Sequence, residues 1–264
     1  MLRKLNSMPS KIGKSVLAYL LLIILWELLF KVNVDILKIW KTYNFPEPIS
    51  VVKVLYGLII DNTLFIAIQA SFTRLLIGYG ISLVLGISIG ITLAKIKVLD
   101  KYYGPLILAL QTLPNICWLP FAILWFGLND NSIIFIIVAG STFALTIATD
   151  TGIKNVQPIY IKAAKTMGAR GFKLFWSVVF PAALPNIISG MKQGWSFSWR
   201  GLMAGEMFAA TKGLGYTLMI GREYGDINQV AAVMLVIIIF GMIMDRFVFV
   251  KIEKNIREKW GLQK

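Results

Sequence analysis

Charged side chains inside apolar segments are the first residues of this sequence whose types suggest chemistry. Arg74, Arg200 and Glu206 each lie in a run apolar enough to cross a membrane, as do Glu27 and Lys192. A charge at that depth is costly, so it usually lines a water-filled pathway or pairs with another polar group. A guanidinium can also hold a small oxyanion through two parallel hydrogen bonds. Arg74, Arg200 and Glu206 are therefore candidates for a pathway or gate.

A structural role is the alternative for the same charges. Arg74 and Arg200 would then pair with Glu27, with Glu206 or with backbone carbonyls. Lys192 lies close to the end of its apolar run, so its long side chain can extend to the membrane interface instead.

The composition is that of an integral membrane protein. Of the 264 residues, 57% are hydrophobic, and the mean hydropathy is +0.73, whereas soluble domains are about 45–50% apolar. The net charge of +14 does not indicate nucleic-acid binding, because the basic residues cluster between apolar runs. The absence of histidine and the single cysteine exclude histidine metal sites and an intrachain disulfide. We therefore expect no metal and no nucleic-acid partner.

The lengths of the apolar runs predict an all-α bundle of about six transmembrane helices, since one crossing needs about 20 residues. We interpret the chain as one transmembrane domain over 1–264 with a core at about 64–250, and a tail at 251–264. The predicted spans are a first helix at 15–34, then Leu64–Ala94, Pro105–Gly127 broken by Pro114 and Pro120, Ser132–Thr149, Trp176–Phe208 kinked by Pro181 and Pro185, and Val230–Val250.

Two shorter features accompany these spans. Ile49–Ile60 is expected to form an amphipathic helix at the membrane interface. Gly86 and Gly90 form a G-x-x-x-G pair, which allows another helix to approach closely.

The charge distribution predicts the orientation. The N-terminus, 95–101, 150–173 and the chain from Asp245 onward hold 18 of the 27 basic residues but only five of the 13 acidic ones. Basic residues concentrate in cytoplasmic loops. We therefore expect both termini to be cytoplasmic.

A basic, glycine-bearing loop at 150–175 is the most unusual of these cytoplasmic segments. Pro158 suits the first turn of a helix, and from there Ile159, Ala163 and Met167 share one helical face. Ala164 and Gly168 are predicted to leave a patch poor in side chains, and Gly168 to permit a sharp turn. Physical reasoning alone leaves two interpretations open: a helix that docks into a partner, and a basic loop bound to anionic lipid.

In this loop Lys162-Ala163-Ala164 is followed after three residues by Gly168, and after nine more by Val178-Val179-Phe180-Pro181. This spacing resembles E-A-A-x-x-x-G, nine residues, I-x-L-P, the EAA loop of binding-protein-dependent ABC importer permeases. In that family the loop forms a coupling helix that seats in a cleft of the ATPase subunit. The first position of the motif is glutamate in the family and Lys162 here, so the role of that residue is not carried over with the loop. The residues to which the resemblance assigns coupling are Lys162, Ala163, Ala164, Gly168, Ala169 and Pro181.

Four further stretches resemble the nitrate, sulfonate and taurine branch of these permeases. They imply a type I importer fold (MetI-like), a small anion as substrate, and residence in the bacterial cytoplasmic membrane. Permeases for vitamin precursors such as the thiamine pyrimidine are also similar. The stretches are QTLPNICWLPFAILWFG at Gln111–Gly127, SWRGLMAGEMF at Ser198–Phe208, GLGYTLMIGREY at Gly213–Tyr224 and DRFVFVKIEKNIREKWGL at Asp245–Leu262.

The same resemblance implies the partners. They are a second copy of the chain, two cytoplasmic ATPase subunits that hold ATP and Mg²⁺, an external substrate-binding protein and membrane lipid. In such importers selectivity rests largely with the binding protein, which favours the structural role for Arg74 and Arg200. The sequence contains no G-x-x-x-x-G-K-[ST] phosphate loop, so we expect a transport subunit without cofactors and not an enzyme.

Two rival classes are less well supported. A stand-alone channel or ion-coupled carrier would more typically show inverted repeats or an internal acidic proton site. A membrane enzyme would need a Ser/Lys or paired-carboxylate arrangement, and no span carries a convincing one.

Overall fold

The computed structural model describes residues 8–41 and 43–251, and within these ranges the secondary structure is helical. Short π-helical turns lie at Lys31–Ile36, Phe175–Val179 and Asp245–Phe249, and a 3-10 turn lies at Asn115–Trp118. The helices are α1 Met8–Phe30, α2 Pro48–Ile60, α3 Thr63–Lys95, α4 Lys97–Gln111, α5 Leu119–Phe126, α6 Asp130–Lys154, α7 Pro158–Thr166, α8 Gly171–Leu174, α9 Phe180–Ala209, α10 Leu214–Glu223 and α11 Ile227–Met244.

Five helical segments of the described chain are long and apolar enough to cross a membrane. A sixth crossing exists if α4 and the segment Asn115–Phe126, which are bent by 104° relative to each other, form one broken span. The multi-pass helical fold is thus confirmed, and the count of six depends on that broken pair. The other segments are Val16–Val34, Thr63–Lys95, Asp130–Lys154, Gly171–Ala209 and Ile227–Met244.

The predicted start of the third span at Pro105 is wrong. α4 begins at Lys97, directly after an extended residue at Ile96, and Pro105 lies inside the helix. Pro114 does break the segment, as expected, because its backbone is extended. Pro120 falls in the first turn of α5, where the missing N–H of proline is tolerated.

The described chain divides into two compact units. One comprises residues 8–64 and 217–236, and the other comprises 65–216 and 237–251. In the first unit, the indole of Trp26 donates a hydrogen bond to the carbonyl of Pro46 (3.0 Å), and the backbone N–H of Glu47 donates to the side chain of Asn228 (3.0 Å). These bonds hold α1, the start of α2 and the first turn of α11 together. The description as a single domain stays a prediction.

The second unit is built on close contacts of α6 with α3 and α9. A Cβ atom added at Gly86 would lie 2.5 Å from the Cβ of Leu145, and one at Gly190 would lie 2.1 Å from the Cβ of Ala148. The hydroxyl of Ser141 also donates to that of Ser82 across the α3–α6 contact (2.7 Å). Membrane helices gain stability from such close packing because lipid removes most of the hydrophobic effect between them. The close approach predicted at Gly86 is therefore confirmed.

We expect Gly86→Ala to lower the stability of the protein by about 1–3 kcal/mol, the usual range for overpacking a tight contact. The added methyl group would also meet the carbonyl oxygen of Thr142 at 2.9 Å. The thermal unfolding midpoint of the detergent-purified chain measures the effect. Gly80→Ala is the matched control on the same helix, because nothing lies within 4 Å of its added Cβ. Equal midpoints for the two variants would contradict the packing.

Candidate coupling and pathway sites

The basic loop forms a helix that is closed at its C-terminus by a glycine. α7 starts with Pro158 and ends at Thr166. The N–H of Gly168 donates to the carbonyl of Lys165 (3.0 Å), and the N–H of Ala169 donates to that of Ala164 (2.9 Å). This is a Schellman cap, which places its glycine in the left-handed region. Gly168 has φ +86°, so the turn predicted at this residue is present and requires glycine.

α7 has an inner face and an outer face. Ala164 is only 2% exposed, and Ile161 packs against a cluster that includes Ile153, Phe175 and Ile187. The inner face therefore joins α7 to the ends of α6 and α9. The predicted patch of Ala164 and Gly168 is wrong, because the helix ends before the glycine and because the alanine is buried.

The outer face is apolar and uncovered in this chain. Ile159, Ala163 and Met167 lie on it as the periodicity predicted, and Met167 is 81% exposed. We call these three residues the coupling face. Lys162 is exposed beside it, whereas Ala169 and Pro181 are partly buried. An exposed apolar patch of this kind marks an interaction surface.

Charges at the same end of the second unit tie the supporting helices together. The ammonium of Lys154 at the end of α6 lies 2.6 Å from Asp100 of α4 and 2.7 Å from Asp150. The ammonium of Lys95, the last residue of α3, lies 3.7 Å from the ring centroid of Phe175. These contacts hold the end of the bundle against which α7 packs.

A second group of residues lies at the other end of α6 and α9 and is buried. Arg74 of α3 is 3% exposed, and its Nη1 lies 2.7 Å from Oε1 of Glu206, which has no exposed surface. The Nη2 and Nε atoms of Arg74 contact Oδ1 of Asp130 at 2.8 and 2.9 Å. The Nη1 also donates to the carbonyl of Lys212 at 2.7 Å.

Glu206 accepts further hydrogen bonds that tie down the turn before α10. The hydroxyl of Ser71 lies 2.8 Å from both carboxylate oxygens and accepts from the N–H of Leu214 (2.9 Å). The N–H of Gly215 donates to Oε2 of Glu206 (2.9 Å). We call Ser71, Arg74, Asp130 and Glu206 the charge cluster. It joins α3, α6, α9, the turn at 210–213 and the first residues of α10.

The charge cluster supports the structural role of Arg74 rather than substrate binding. Two carboxylates and a carbonyl already occupy its guanidinium, so an anion would have to displace Glu206. Glu27 forms a different pair, with Lys31 at 3.1 Å. The sequence did not predict Asp130 as a partner of Arg74. The only sequence signal for this pairing is that Asp130 is an acidic residue in the first turn of a span.

Arg200 lies apart from the charge cluster and is exposed. Its guanidinium donates to the carbonyl and the hydroxyl of Ser196 one turn earlier, at 3.2 and 3.0 Å. It also lies 5.1 Å from the ring centroid of Phe197. Arg200 lines a cavity of about 330 Å³ together with Gln111 and Asn115, which flank the break between α4 and α5. Of the three pathway candidates, the structure thus brings Arg74 and Glu206 together and leaves Arg200 facing open space.

Comparison with known proteins identifies the fold and the family. Residues 82–253 match the family described as the inner membrane component of binding-protein-dependent transport systems. The chain is 32% identical over 203 residues to the putative aliphatic sulfonates transport permease of Bacillus subtilis, covering 77% of this chain and 74% of that one. It is 27% identical over 247 residues to the nitrate import permease of Synechocystis, covering 90% and 87%.

The similarity extends to solved structures. A chain of the inward-facing MetNI methionine ABC transporter superposes with a TM-score of 0.62 at 17% identity, covering 74% of this chain and 96% of that one. The expected MetI-like bundle is thereby confirmed. At this level of identity the superposition supports the fold alone.

We expect Glu206→Gln to destabilise the folded protein by about 3–5 kcal/mol, because it leaves the buried guanidinium of Arg74 without its main counter-charge. Asp130→Asn is the matched control, since it also neutralises a partner of Arg74 but at a side chain that is 60% exposed. Pairs with an exposed partner contribute about 1 kcal/mol or less. Chemical unfolding of the detergent-purified variants measures both changes. Similar losses of unfolding free energy in the two variants would contradict the conclusion that burial makes the pair of Arg74 and Glu206 more important than that of Arg74 and Asp130.

Proposed function

The chain belongs to the family of binding-protein-dependent transport system inner membrane components, and we propose that the solute it imports is a small oxyanion: an aliphatic sulfonate, taurine or nitrate. It is the permease subunit of an ABC importer and not an enzyme, because in this family ATP is hydrolysed by a separate subunit. The observation that carries the proposed substrate class is the exposed guanidinium of Arg200 beside a cavity at the break of a span. The relatives named for sulfonates and nitrate support it.

The working importer would contain several subunits. Permeases of this family act with ATPase subunits and a substrate-binding protein. We expect two copies of this chain to surround the pathway, because one chain of five or six spans supplies only half of a two-fold bundle. Two ATPase subunits would hold ATP and Mg²⁺ on the cytoplasmic side. The concentration of basic residues in the loops supports a cytoplasmic location for both termini.

α7 would transmit the ATPase cycle to the membrane helices. The coupling face of Ile159, Ala163 and Met167 is exposed and apolar, as a surface that seats in a partner requires. The inner face, through Ile161 and Ala164, packs against the base of α9. A displacement of α7 by the ATPase would therefore move α9. Lys162 is exposed beside the coupling face and is placed to make a charged contact with the partner.

Reconstitution tests the proposed function. We expect proteoliposomes that contain the chain, its ATPase subunits and the loaded binding protein to accumulate a labelled sulfonate or nitrate only when ATP is present inside. Competition by unlabelled oxyanions, compared with a neutral pyrimidine, separates the proposed substrate from a vitamin precursor. Flux through the chain alone would overturn the importer mechanism. Competition by the pyrimidine alone would overturn the substrate class.

We expect Met167→Asp to abolish the stimulation of ATPase activity by the loaded binding protein, because an acidic group would be buried in the apolar contact without a partner. Folding should be unaffected, since the side chain is 81% exposed. Gly168→Trp should have the same effect by distorting the cap of α7. Val98→Asp is the control: it places the same charge at another exposed apolar position, in the first turn of α4, where an acidic residue is favourable. Normal stimulation in Met167→Asp would rule out docking through this face.

A further inference from the structure

Within α9 the exposed side chains between residues 181 and 207 are all polar, and Phe208, at the end of the helix, is the exposed apolar one. Between residues 181 and 207 the helix has five exposed side chains, and their spacing of three or four residues places them on one side. We call them the polar stripe. A helix face in contact with lipid is predominantly apolar, since lipid offers no hydrogen bonds to polar groups. The stripe is therefore unsuited to lipid contact. Its members are Asn186, Ser189, Gln193, Ser196 and Arg200.

Three cavities follow the polar stripe from one end to the other. The first, of about 560 Å³, lies beside α7 and is lined by Ala163 and Met167 together with Asn186. The second, of about 520 Å³, is lined by Ser189, Gln193, Ser196 and Arg200, and Lys192 also lines it. The third, of about 330 Å³, shares Arg200 with the second. The stripe covers about 21 Å along the helix axis at about 1.5 Å per residue, which is most of the bilayer core.

The third cavity ends at the break between α4 and α5. Gln111 and Asn115 line it from either side of the break, and Arg200 lines it from α9. The side-chain amide of Asn115 donates to the carbonyl of Phe197 at 2.7 Å, which joins the break to α9. Irregular backbone at membrane depth is tolerated where it lines a cavity or is covered by protein. The break therefore belongs to the same polar space as the stripe.

Arg74 and Arg200 differ in what surrounds them. Arg74 is buried and bound by two carboxylates. Arg200 forms no ion pair within the described part of the chain, and its hydrogen bonds go to Ser196 of its own helix. Its guanidinium therefore retains N–H groups directed at no carboxylate. At membrane depth a charge in this state requires water or an anion, and a guanidinium suits a planar or tetrahedral oxyanion best.

We propose that the polar stripe lines the route of the solute through the permease and that Arg200 is the point at which a small oxyanion is held in transit. This inference rests on the proposed function, because it assigns a position within the pathway to the proposed substrate class. The anion is bound by the N–H groups of Arg200 that Ser196 does not occupy, in a cavity that Gln111 also lines. Water in the second cavity would then accompany its passage along Gln193 and Ser189 toward Asn186.

Thiol labelling tests the stripe without requiring transport. Cys117 is exposed and is first replaced by serine. Ser196→Cys is then introduced in the full chain in membrane vesicles. The new cysteine is reacted with two methanethiosulfonates, one bearing an anionic sulfonate and the other a cationic trimethylammonium group. Each reaction rate is divided by the rate of the same reagent with a free thiol in solution. We expect the normalised rate of the anionic reagent to be several-fold higher. Arg200→Gln should remove this preference, and Lys97→Gln, a charge removed from an exposed position on α4, should not.

Each other outcome overturns the inference. Protection from both reagents would mean that the stripe is covered by lipid or by a second copy of the chain. Equal normalised rates for the two reagents, or a preference that survives Arg200→Gln, would mean that Arg200 does not attract anions to the stripe.

Transport by the assembled importer separates this inference from the proposed function. We expect Arg200→Gln to lower ATP-driven oxyanion uptake about 10- to 100-fold, the range expected for losing one charged hydrogen-bonding contact. The ATPase activity stimulated by the loaded binding protein should remain. Unchanged uptake would overturn the role of Arg200 while leaving the proposed function intact. An unmodified importer that moves no oxyanion would overturn the proposed substrate class, and the thiol result would still decide whether the stripe is an anion-selective surface.

Discussion

The ion pair of Arg74 and Glu206 is the constraint on which the arrangement of the second unit depends. Neither charge is tolerated alone in a buried site within a membrane bundle, so each fixes the position of the other. Because Arg74 belongs to α3 and Glu206 to α9, the pair sets the distance between these helices. Asp130 and the turn before α10 join through the same guanidinium. One neutralised pair thus aligns three helices and a connecting turn.

With that end of α9 fixed, the helix can keep two different faces. One face carries the buried glycines Gly190, Gly194, Gly201 and Gly205 and packs closely on α6. The exposed residues between 181 and 207 carry polar groups instead. Close packing on α6 stabilises the helix in lipid. The polar face is therefore not needed for the stability of the bundle. The charge that serves the fold, Arg74, and the charge that faces the cavities, Arg200, are therefore separated by position.

The sequence predicted the parts of the fold that depend on local pattern. Apolar length located the spans, the G-x-x-x-G pair marked a close helix contact, and Pro158 and Gly168 marked the ends of α7. It could not assign Glu206 rather than Glu27 to Arg74, because the choice depends on the packing of distant segments. The burial of Ala164 was missed for the same reason. The polar stripe was visible as a spacing of three and four residues, but the tryptophans at 195 and 199 dominate the character of that stretch.

In the proposed importer, the position of α7 would connect a movement of the ATPase to the polar stripe. Its outer face is free, its inner face packs on the base of α9, and the cavity beside it reaches Asn186, the first residue of the stripe. The Schellman cap at Gly168 ends the helix in a defined direction, so a force on the coupling face displaces α7 as a unit instead of unwinding it. At the far end of α9 the charge cluster resists displacement. A displacement of the N-terminal end of α9, with its C-terminal end fixed by the charge cluster, would tilt or bend the helix. Pro185 lies inside α9 near the displaced end. The lining of the cavities along α9 would then change most near α7 and least at Arg200.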